Sequence, residues 1–346
     1  MSSRLRLIVA SWAVACAPEP GASAPTADAA DDVRDGWPAC EQASEADALR
    51  LNHLQLLGTH NSYHVEPENP VHPSHRYTHP PLDAQLDLGV RQFELDVHLR
   101  VDEGFEIFHL PVIDEETTCL ALSTCLEVIR DWSKAHPCHV PIVVWIEPKD
   151  EDMDALDPTL APLIDEHHAL EDAILEVWPR ERILTPDDLR GAHADLPSAI
   201  RADGWPRLDA LRGKLVLSML DRSNHRARYL EDSDILRDRL MFVAADGPDD
   251  PFAAMFKINN AASEGERIQA LAAEGFHITS NVDGAARSPE EREAHLEASL
   301  AGAPHALSSD FVVPDPDSGY VARLPDGSPG CHPTAPADCD ASLLEP

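Results

Sequence analysis

Leu54-Gln55-Leu56-Leu57-Gly58-Thr59-His60-Asn61-Ser62 is an apolar run that ends abruptly in polar residues. The same shape returns in Val90-Arg91-Gln92-Phe93-Glu94-Leu95-Asp96-Val97-His98 and in Pro141-Ile142-Val143-Val144-Trp145-Ile146-Glu147-Pro148-Lys149. Short apolar runs of this kind, bounded by Gly and Pro, read as strands. Outward from these three (Leu54–Gly58, Val90–His98 and Pro141–Glu147), further strand-like runs fall at Leu215–Leu220, Leu240–Ala244, Met255–Ile258, His277–Asn281 and Ala306–Val313. Amphipathic stretches such as Cys125–Ala135, Ala155–Val177, Ser263–Glu274 and Pro289–Ala301 lie between them. Strands alternating with helical segments predict an α/β chain, a (β/α)8 TIM barrel in one domain over residues 40–320. An open doubly wound sheet would carry a Gly-rich loop after its first strand, and Gly58-Thr59-His60-Asn61 is not one.

The polar ends of the first three strands carry the chemistry. Residues i and i+2 of a strand share a face, so Glu94 and Asp96 point together and Leu95 and Val97 point away. Barrel enzymes place catalytic groups at the C-terminal ends of strands, where these residues fall. Stacked carboxylates facing a core require a compensating cation. Asn61, Glu94, Asp96 and Glu147 form an all-oxygen donor set that suits Ca²⁺ or Mg²⁺ better than zinc. Glu103-Gly104 reads as a turn, and Phe105-Glu106-Ile107-Phe108-His109 as a returning strand that brings His109 to the mouth beside His60. Two histidines next to such a cation suit phosphoryl transfer: one stabilises charge at phosphorus and the other protonates the leaving alkoxide. Lys149, on the face of Glu147, is a candidate phosphate contact.

Other polar residues keep two readings each. His98 shares the face of Glu94 and Asp96, as a supporting partner or as packing. Asp283 and Asp310 end strand-like runs, in a functional or a capping role, and Arg91 at a strand start suits a structural ion pair. His64, His72, His75 and His79 accompany the Pro-rich stretch Val65 to Pro81, which reads as a mobile rim loop in preference to a zinc site.

The series Gly58-Thr59-His60-Asn61-Ser62-Tyr63, Gly89 to Val97, Phe108-His109 and Pro141 to Glu147 resembles phosphatidylinositol-specific phospholipase C, in particular its calcium-dependent bacterial branch. The matching motifs span residues 54–149, with looser similarity at Ile278–Asp283 and Leu307–Asp310. The resemblance implies a distorted barrel, Ca²⁺ held by Asn61, Glu94, Asp96 and Glu147, His60 as transition-state stabiliser and His109 as general acid. It implies attack of the inositol 2-hydroxyl on phosphorus, giving cyclic inositol phosphate and diacylglycerol, with Glu94 or Glu147 as the general base. The run Lys214 to Leu220 lacks the paired lysines with which eukaryotic relatives hold ring phosphates, which argues against polyphosphorylated inositides. Two alternatives stay open: a glycerophosphodiester phosphodiesterase or sphingomyelinase-D-like barrel, and a non-catalytic surface lipoprotein that binds lipid head groups.

The chain carries 27 Lys+Arg against 62 Asp+Glu, a formal charge of −35. Such a polyanion repels nucleic-acid phosphates, so no nucleic-acid partner is expected. Arg4 and Arg6 followed by apolar Leu7 to Ala15 read as a signal peptide over residues 1–15, too short to span a bilayer. Cys16 then stands where a bacterial lipoprotein is lipidated, and the rival cleavage follows Ala22-Ser23-Ala24. Both readings export the protein, to the cell envelope or the medium. Residues 16–39 read as a flexible acidic Ala/Pro linker. Six further cysteines in an oxidising compartment imply disulfides, with Cys331–Cys339 in a tail over 321–346 and some pairing among Cys119, Cys125 and Cys138. Loss of Arg4 and Arg6 leaves the mature chain still more negative. Access to anionic lipid then requires an anchor at Cys16, Ca²⁺ bridging, or a soluble substrate. A monomer acting on a phosphoinositide or glycerophosphodiester, at a membrane surface through that anchor, is the expected working state.

Overall fold

The computed structural model describes residues 36–42, 44–150 and 157–345; the signal segment, Cys16 and most of the linker lie outside them. From Trp37 onward the chain forms one compact unit. Its strands are β1 (Leu54–Thr59), β2 (Val90–Arg100), β3 (Gly104–Ile107), β4 (Ile142–Pro148), β5 (Leu160–Ala161), β6 (Ile183–Leu184), β7 (Leu215–Met219), β8 (Phe242–Val243), β9 (Met255–Lys257), β10 (His277–Asn281), β11 (Ala306–Ser309) and β12 (Gly330–Cys331). The α-helices are α1 (Leu82–Asp87), α2 (Leu122–Ala135), α3 (His167–Val177), α4 (Pro186–Arg190), α5 (Leu196–Ala202), α6 (Leu208–Leu211), α7 (Asn224–Leu230), α8 (Ala261–Ala273) and α9 (Pro289–Gly302).

The order β1-β2-β4-β7-β8-β9-β10-β11 is parallel throughout, and β11 pairs back onto β1. Between the two-residue β8 and β9 the ladder is carried by the bridge Ala244↔Met255, which makes this seam thin. The result is the distorted TIM barrel, with all eight sequence-read strands in it. Their lengths differ: Ala306–Val313 shortens to β11, and Leu240–Ala244 to β8. The stretch Ala155–Val177 is helical only over α3 within its described part, because Pro158 and Pro162 flank Leu160–Ala161, which pairs with β2 as β5.

Leu95 and Val97 are fully buried against the helical layer. There α2 presents Leu122, Cys125, Leu126, Ile129 and Trp132, a spacing that lines one face of a helix. Inside, the Trp145 indole on β4 donates to Thr279 Oγ1 on β10, 3.0 Å away, which spans the barrel. The C-terminal segment seals the opposite, N-terminal end. β12 pairs antiparallel with the start of β1, Leu344 is buried, and Glu345 pairs with buried Arg91 through Nε at 2.7 Å. Arg91 thus has its structural role. Disulfides join Cys119–Cys125 and Cys331–Cys339, while Cys138 pairs with distant Cys40. Trp37, at the end of the sequence-read linker, is buried with its ring 4.9 Å from that of Trp178.

Candidate active site

β2 and β4 run in a register that sets Glu94 opposite Trp145 and Asp96 opposite Glu147. Paired residues of neighbouring parallel strands share a face, so the three carboxylates project into the barrel with Trp145. One oxygen from each of Glu94, Asp96 and Glu147 lies within 4.8 Å of the others. Two lysines enter this cluster. Lys257 Nζ, from β9 across the barrel, donates to Glu94 Oε2 at 2.6 Å, with both side chains 2% exposed. Lys149 Nζ lies 2.7 Å from Glu147 Oε1 and 3.1 Å from Asp96 Oδ2. Lys149 therefore spans two carboxylates of the cluster.

The carboxyl groups respond unequally. Burial would raise Glu94, but the ammonium of Lys257 and the ring of His60 outweigh it and hold its pKa low. Burial and the neighbouring Asp96 push Glu147 up to about 7 against the pull of Lys149. Asp96 is likewise raised by burial, against the pull of the Lys149 ammonium 3.1 Å from Oδ2, and both of its oxygens are shut off from solvent. The buried Tyr63 hydroxyl stands beside Asp96, and burial keeps it protonated.

His60 follows the last residue of β1. Its Nδ1 lies 2.9 Å from Asp310 Oδ1, its Nε2 lies 3.7 Å from Glu94 Oε1, and a third of the ring is open to solvent. Burial alone would depress this imidazole, but the carboxylates of Glu94 and Asp310 raise it to about 9. Asn61 takes a left-handed backbone, φ 40°, which asparagine tolerates better than most residues, and its side chain sits by the Tyr77 hydroxyl. That conformation turns the chain sharply at the strand end, so His60 and Asn61 occupy the mouth.

β2 outlasts the barrel and turns through Asp102 and Gly104, both at positive φ, into antiparallel β3. The strand stops at Ile107, and His109 lies two residues beyond it in a bend. His109 Nδ1 is 2.7 Å from Asp114 Oδ2. Burial would raise the Asp114 carboxyl, but hydrogen bonds from His109 and His64 hold it far below the usual range. His98 supports this bend instead of the carboxylates: its Nε2 faces the Phe108 carbonyl at 3.1 Å and its ring stacks on Phe108 at 3.9 Å.

All the sequence-selected site residues, His60, Asn61, Glu94, Asp96, His109, Glu147 and Lys149, lie at the C-terminal end of the barrel. Asp310 is a positioning partner of His60, and Asp283 braces it, accepting from the Asp310 N–H at 2.9 Å, Ser309 Oγ at 2.5 Å and Tyr320 Oη at 3.1 Å. The Pro-rich segment is not the mobile rim its composition suggests, since His75, Tyr77 and His79 are buried and His79 Nε2 contacts the His60 carbonyl at 2.9 Å. Lys257 and Asp114 are the residues that motif reading missed. A signal for Lys257 exists, because a lysine ending an apolar strand is unusual in a chain with only four lysines.

The model of the family described as phosphoinositide phospholipase C, Ca²⁺-dependent, matches residues 49–104 and 100–333. No curated protein matches the sequence. Among solved structures, the fold is similar to a calcium-dependent phosphoinositol-specific phospholipase C from a Gram-negative Pseudomonas species, at 17% identity and TM-score 0.55, covering 77% of this chain and 91% of that one. It is also similar to a Ca²⁺-dependent phosphatidylinositol-specific phospholipase C from Streptomyces antibioticus, at 21% identity and TM-score 0.56, covering 76% and 95%. With the family model spanning most of the barrel and its mouth, the chain belongs to the family of Ca²⁺-dependent phosphoinositide phospholipases C.

Proposed function

We propose that this protein is a Ca²⁺-dependent phosphodiesterase that cleaves phosphatidylinositol or a related inositol phosphodiester. The observation that carries the reading is a pair of histidines, His60 and His109, each held through Nδ1 by its own carboxylate at the rim of a carboxylate cluster. The cluster fits a hard cation: its donors are oxygens, and buried Asp96 offers two oxygens of which, among the described residues, only Oδ2 has a cation near it, Lys149 at 3.1 Å. Asn61, Glu94, Asp96 and Glu147 would hold Ca²⁺, with Lys149 and Lys257 as the charges it meets there. Bound at these residues, Ca²⁺ supplies neutralisation of phosphate charge and acidification of a coordinated hydroxyl.

The residues divide the remaining work. Glu147, raised to about 7, is better matched than the strongly paired Glu94 to accept the proton of the inositol 2-hydroxyl. His60, cationic at neutral pH, faces the charge that develops on the phosphoryl oxygens. As the 2-hydroxyl oxygen bonds to phosphorus, the bond from phosphorus to the glycerol oxygen breaks, and His109 Nε2–H protonates the leaving alkoxide. Asp114 accepts from Nδ1–H, which fixes the orientation of the ring and leaves Nε2 to face the leaving group. The products are cyclic inositol phosphate and diacylglycerol. A Pseudomonas structure solved as a myoinositol complex supports the choice of head group. Exposed Val71, Val101 and Val112, on loops at this end of the barrel, support a lipid substrate. Export, with lipidation at Cys16, would bring this acidic chain to the membrane, where it acts as a monomer.

The test is incubation of the protein with phosphatidylinositol, lysophosphatidylcholine and glycerophosphodiesters, with Ca²⁺ or with chelator. Cyclic inositol phosphate released only with Ca²⁺ is the expected result. Unchanged activity after chelation, or in His109→Ala, overturns the mechanism.

A further inference from the structure

Lys149 and Lys257 both meet the carboxylate cluster, but the fold holds them differently. Lys257 is shut in on β9, its side chain 2% exposed and its ammonium on Glu94 Oε2. Lys149 lies just past the end of β4, with its backbone N–H donating to the Val97 carbonyl at 2.9 Å and its side chain 14% exposed at the mouth. Its ammonium sits between two carboxylates, 2.7 Å from Glu147 Oε1 and 3.1 Å from Asp96 Oδ2. The backbone is thus anchored, while a flexible four-carbon stem carries the charge.

The same oxygens cannot serve an ammonium and a divalent cation together. Ca²⁺ draws carboxylate oxygens to about 2.3–2.6 Å, so a cation shared by Asp96 and Glu147 would press against Lys149 Nζ. Like charges at such a distance repel strongly where solvent is excluded, and Asp96 is fully buried. Charge balance points the same way. Ca²⁺ and Lys257 together match three carboxylates, and a retained Lys149 would leave positive charge in excess inside the barrel. Lys257 is closed off from solvent and Lys149 opens onto it, so Lys149 is the cation that gives way.

We propose that Lys149 is a displaceable counter-cation: it competes with Ca²⁺ for Asp96 and Glu147, sets the calcium affinity of the site, and on release turns its ammonium to the substrate phosphate. The proposal rests on the reading of the cluster as the calcium site and adds to it a residue that couples metal binding to substrate binding. Once released, Lys149 stays at the mouth, because its backbone is tied to β2, and the phosphodiester is the anion that arrives there. The phosphate contact expected from sequence and the two carboxylate contacts in the structure are then two positions of one side chain.

Calorimetric titration of the full chain with Ca²⁺ tests the competition in both directions. Lys149→Met removes the competitor and should lower the Ca²⁺ Kd by at least about tenfold, the scale on which neighbours of metal ligands tune affinity. Lys149→Arg lays a guanidinium fork on the two carboxylates, which grips them harder, and should raise Kd. Equal Kd in parent and variants, or weaker binding in the Met variant, overturns the proposal. The Arg variant keeps the buried charge, so it decides the matter if the Met variant does not fold. With Ca²⁺ saturating, Lys149→Met should raise KM for a soluble inositol phosphodiester more than it lowers kcat, and an unchanged KM overturns the phosphate role. Failure of the parent and both variants alike to bind Ca²⁺ would sink the calcium reading itself, and the proposal with it.

Discussion

Lys257→Met removes the ammonium that Glu94 meets at 2.6 Å inside the barrel. Both partners are 2% exposed, so solvent does not replace the lost charge. Breaking a buried pair by deleting one partner costs about 3–5 kcal/mol, because the other charge stays buried and uncompensated. Here the cost is sharpened by Asp96 and Glu147, which stay within reach of the stranded Glu94 with Lys149 as their nearby cation. For a domain of this size each kcal/mol moves Tm by about 2–3 °C, so Tm in chelator should fall by about 6–15 °C. Calcium should reverse much of that loss. Ligand at a hundredfold excess over Kd stabilises by about 2.7 kcal/mol, and the Met variant no longer competes with the metal for Glu94. Calorimetry of parent and variant, in chelator and in a Ca²⁺ series, reads both effects. A Tm drop under about 2 °C in chelator would refute the energetic role given to the pair. Calcium stabilising the variant no more than the parent would refute the placement of the cation at Glu94.

Two further outcomes follow from the site and its surroundings. Asp310→Asn should lower kcat/KM by about 10²–10⁴-fold with little change in fold, since it leaves His60 without its orienting carboxylate; because that carboxylate helps raise His60 to about 9, the alkaline limb of the pH–rate profile should move toward neutral pH. The protein should also unfold cooperatively on acidification between pH 6.5 and 4, because burial depresses His79, His98, His139 and His167 to about 4 and His277 to about 3. A depressed histidine takes up its proton more readily in the unfolded chain, so stability is full above the unfolded pKa and falls as pH drops toward the folded one. Each group contributes up to roughly 3 kcal/mol, so a few suffice against a typical total of about 5–15 kcal/mol, with raised His60 acting in the opposite sense. Circular dichroism against pH checks this; a chain folded at pH 4 with unchanged denaturant midpoint contradicts it.

The strands of the barrel and the face shared by Glu94 and Asp96 were legible because they depend on local pattern. Alternation by two decides which residues of β2 point together, and no distant contact alters it. Where local pattern failed, a distant partner was responsible. The stretch before α3 has helical composition, yet β5 pairs with β2 through it once two prolines deny the helix its hydrogen bonds. The segment Val65 to Pro81 looked mobile because Pro-rich stretches usually are, but Tyr77 and His79 pack beneath the mouth against His64 and His60. The disulfide partner of Cys138 lay 98 residues away, beyond what loop length favours.

The amino-acid sequence by itself determined the barrel, its family motifs and the polar groups gathered at its mouth, since strand alternation and strand-end polarity are written in neighbouring residues. Tertiary structure alone decided what state those groups are in. Lys257 reaches Glu94 only because the barrel closes β9 opposite β2, and Asp310 reaches His60 only because β11 pairs with β1. His64, His75 and His109 meet at Asp114 because the chain after β1 folds over the bend that follows β3. Charge and protonation at a buried site depend on distances of a few ångströms between residues far apart in the chain, and folding sets those distances.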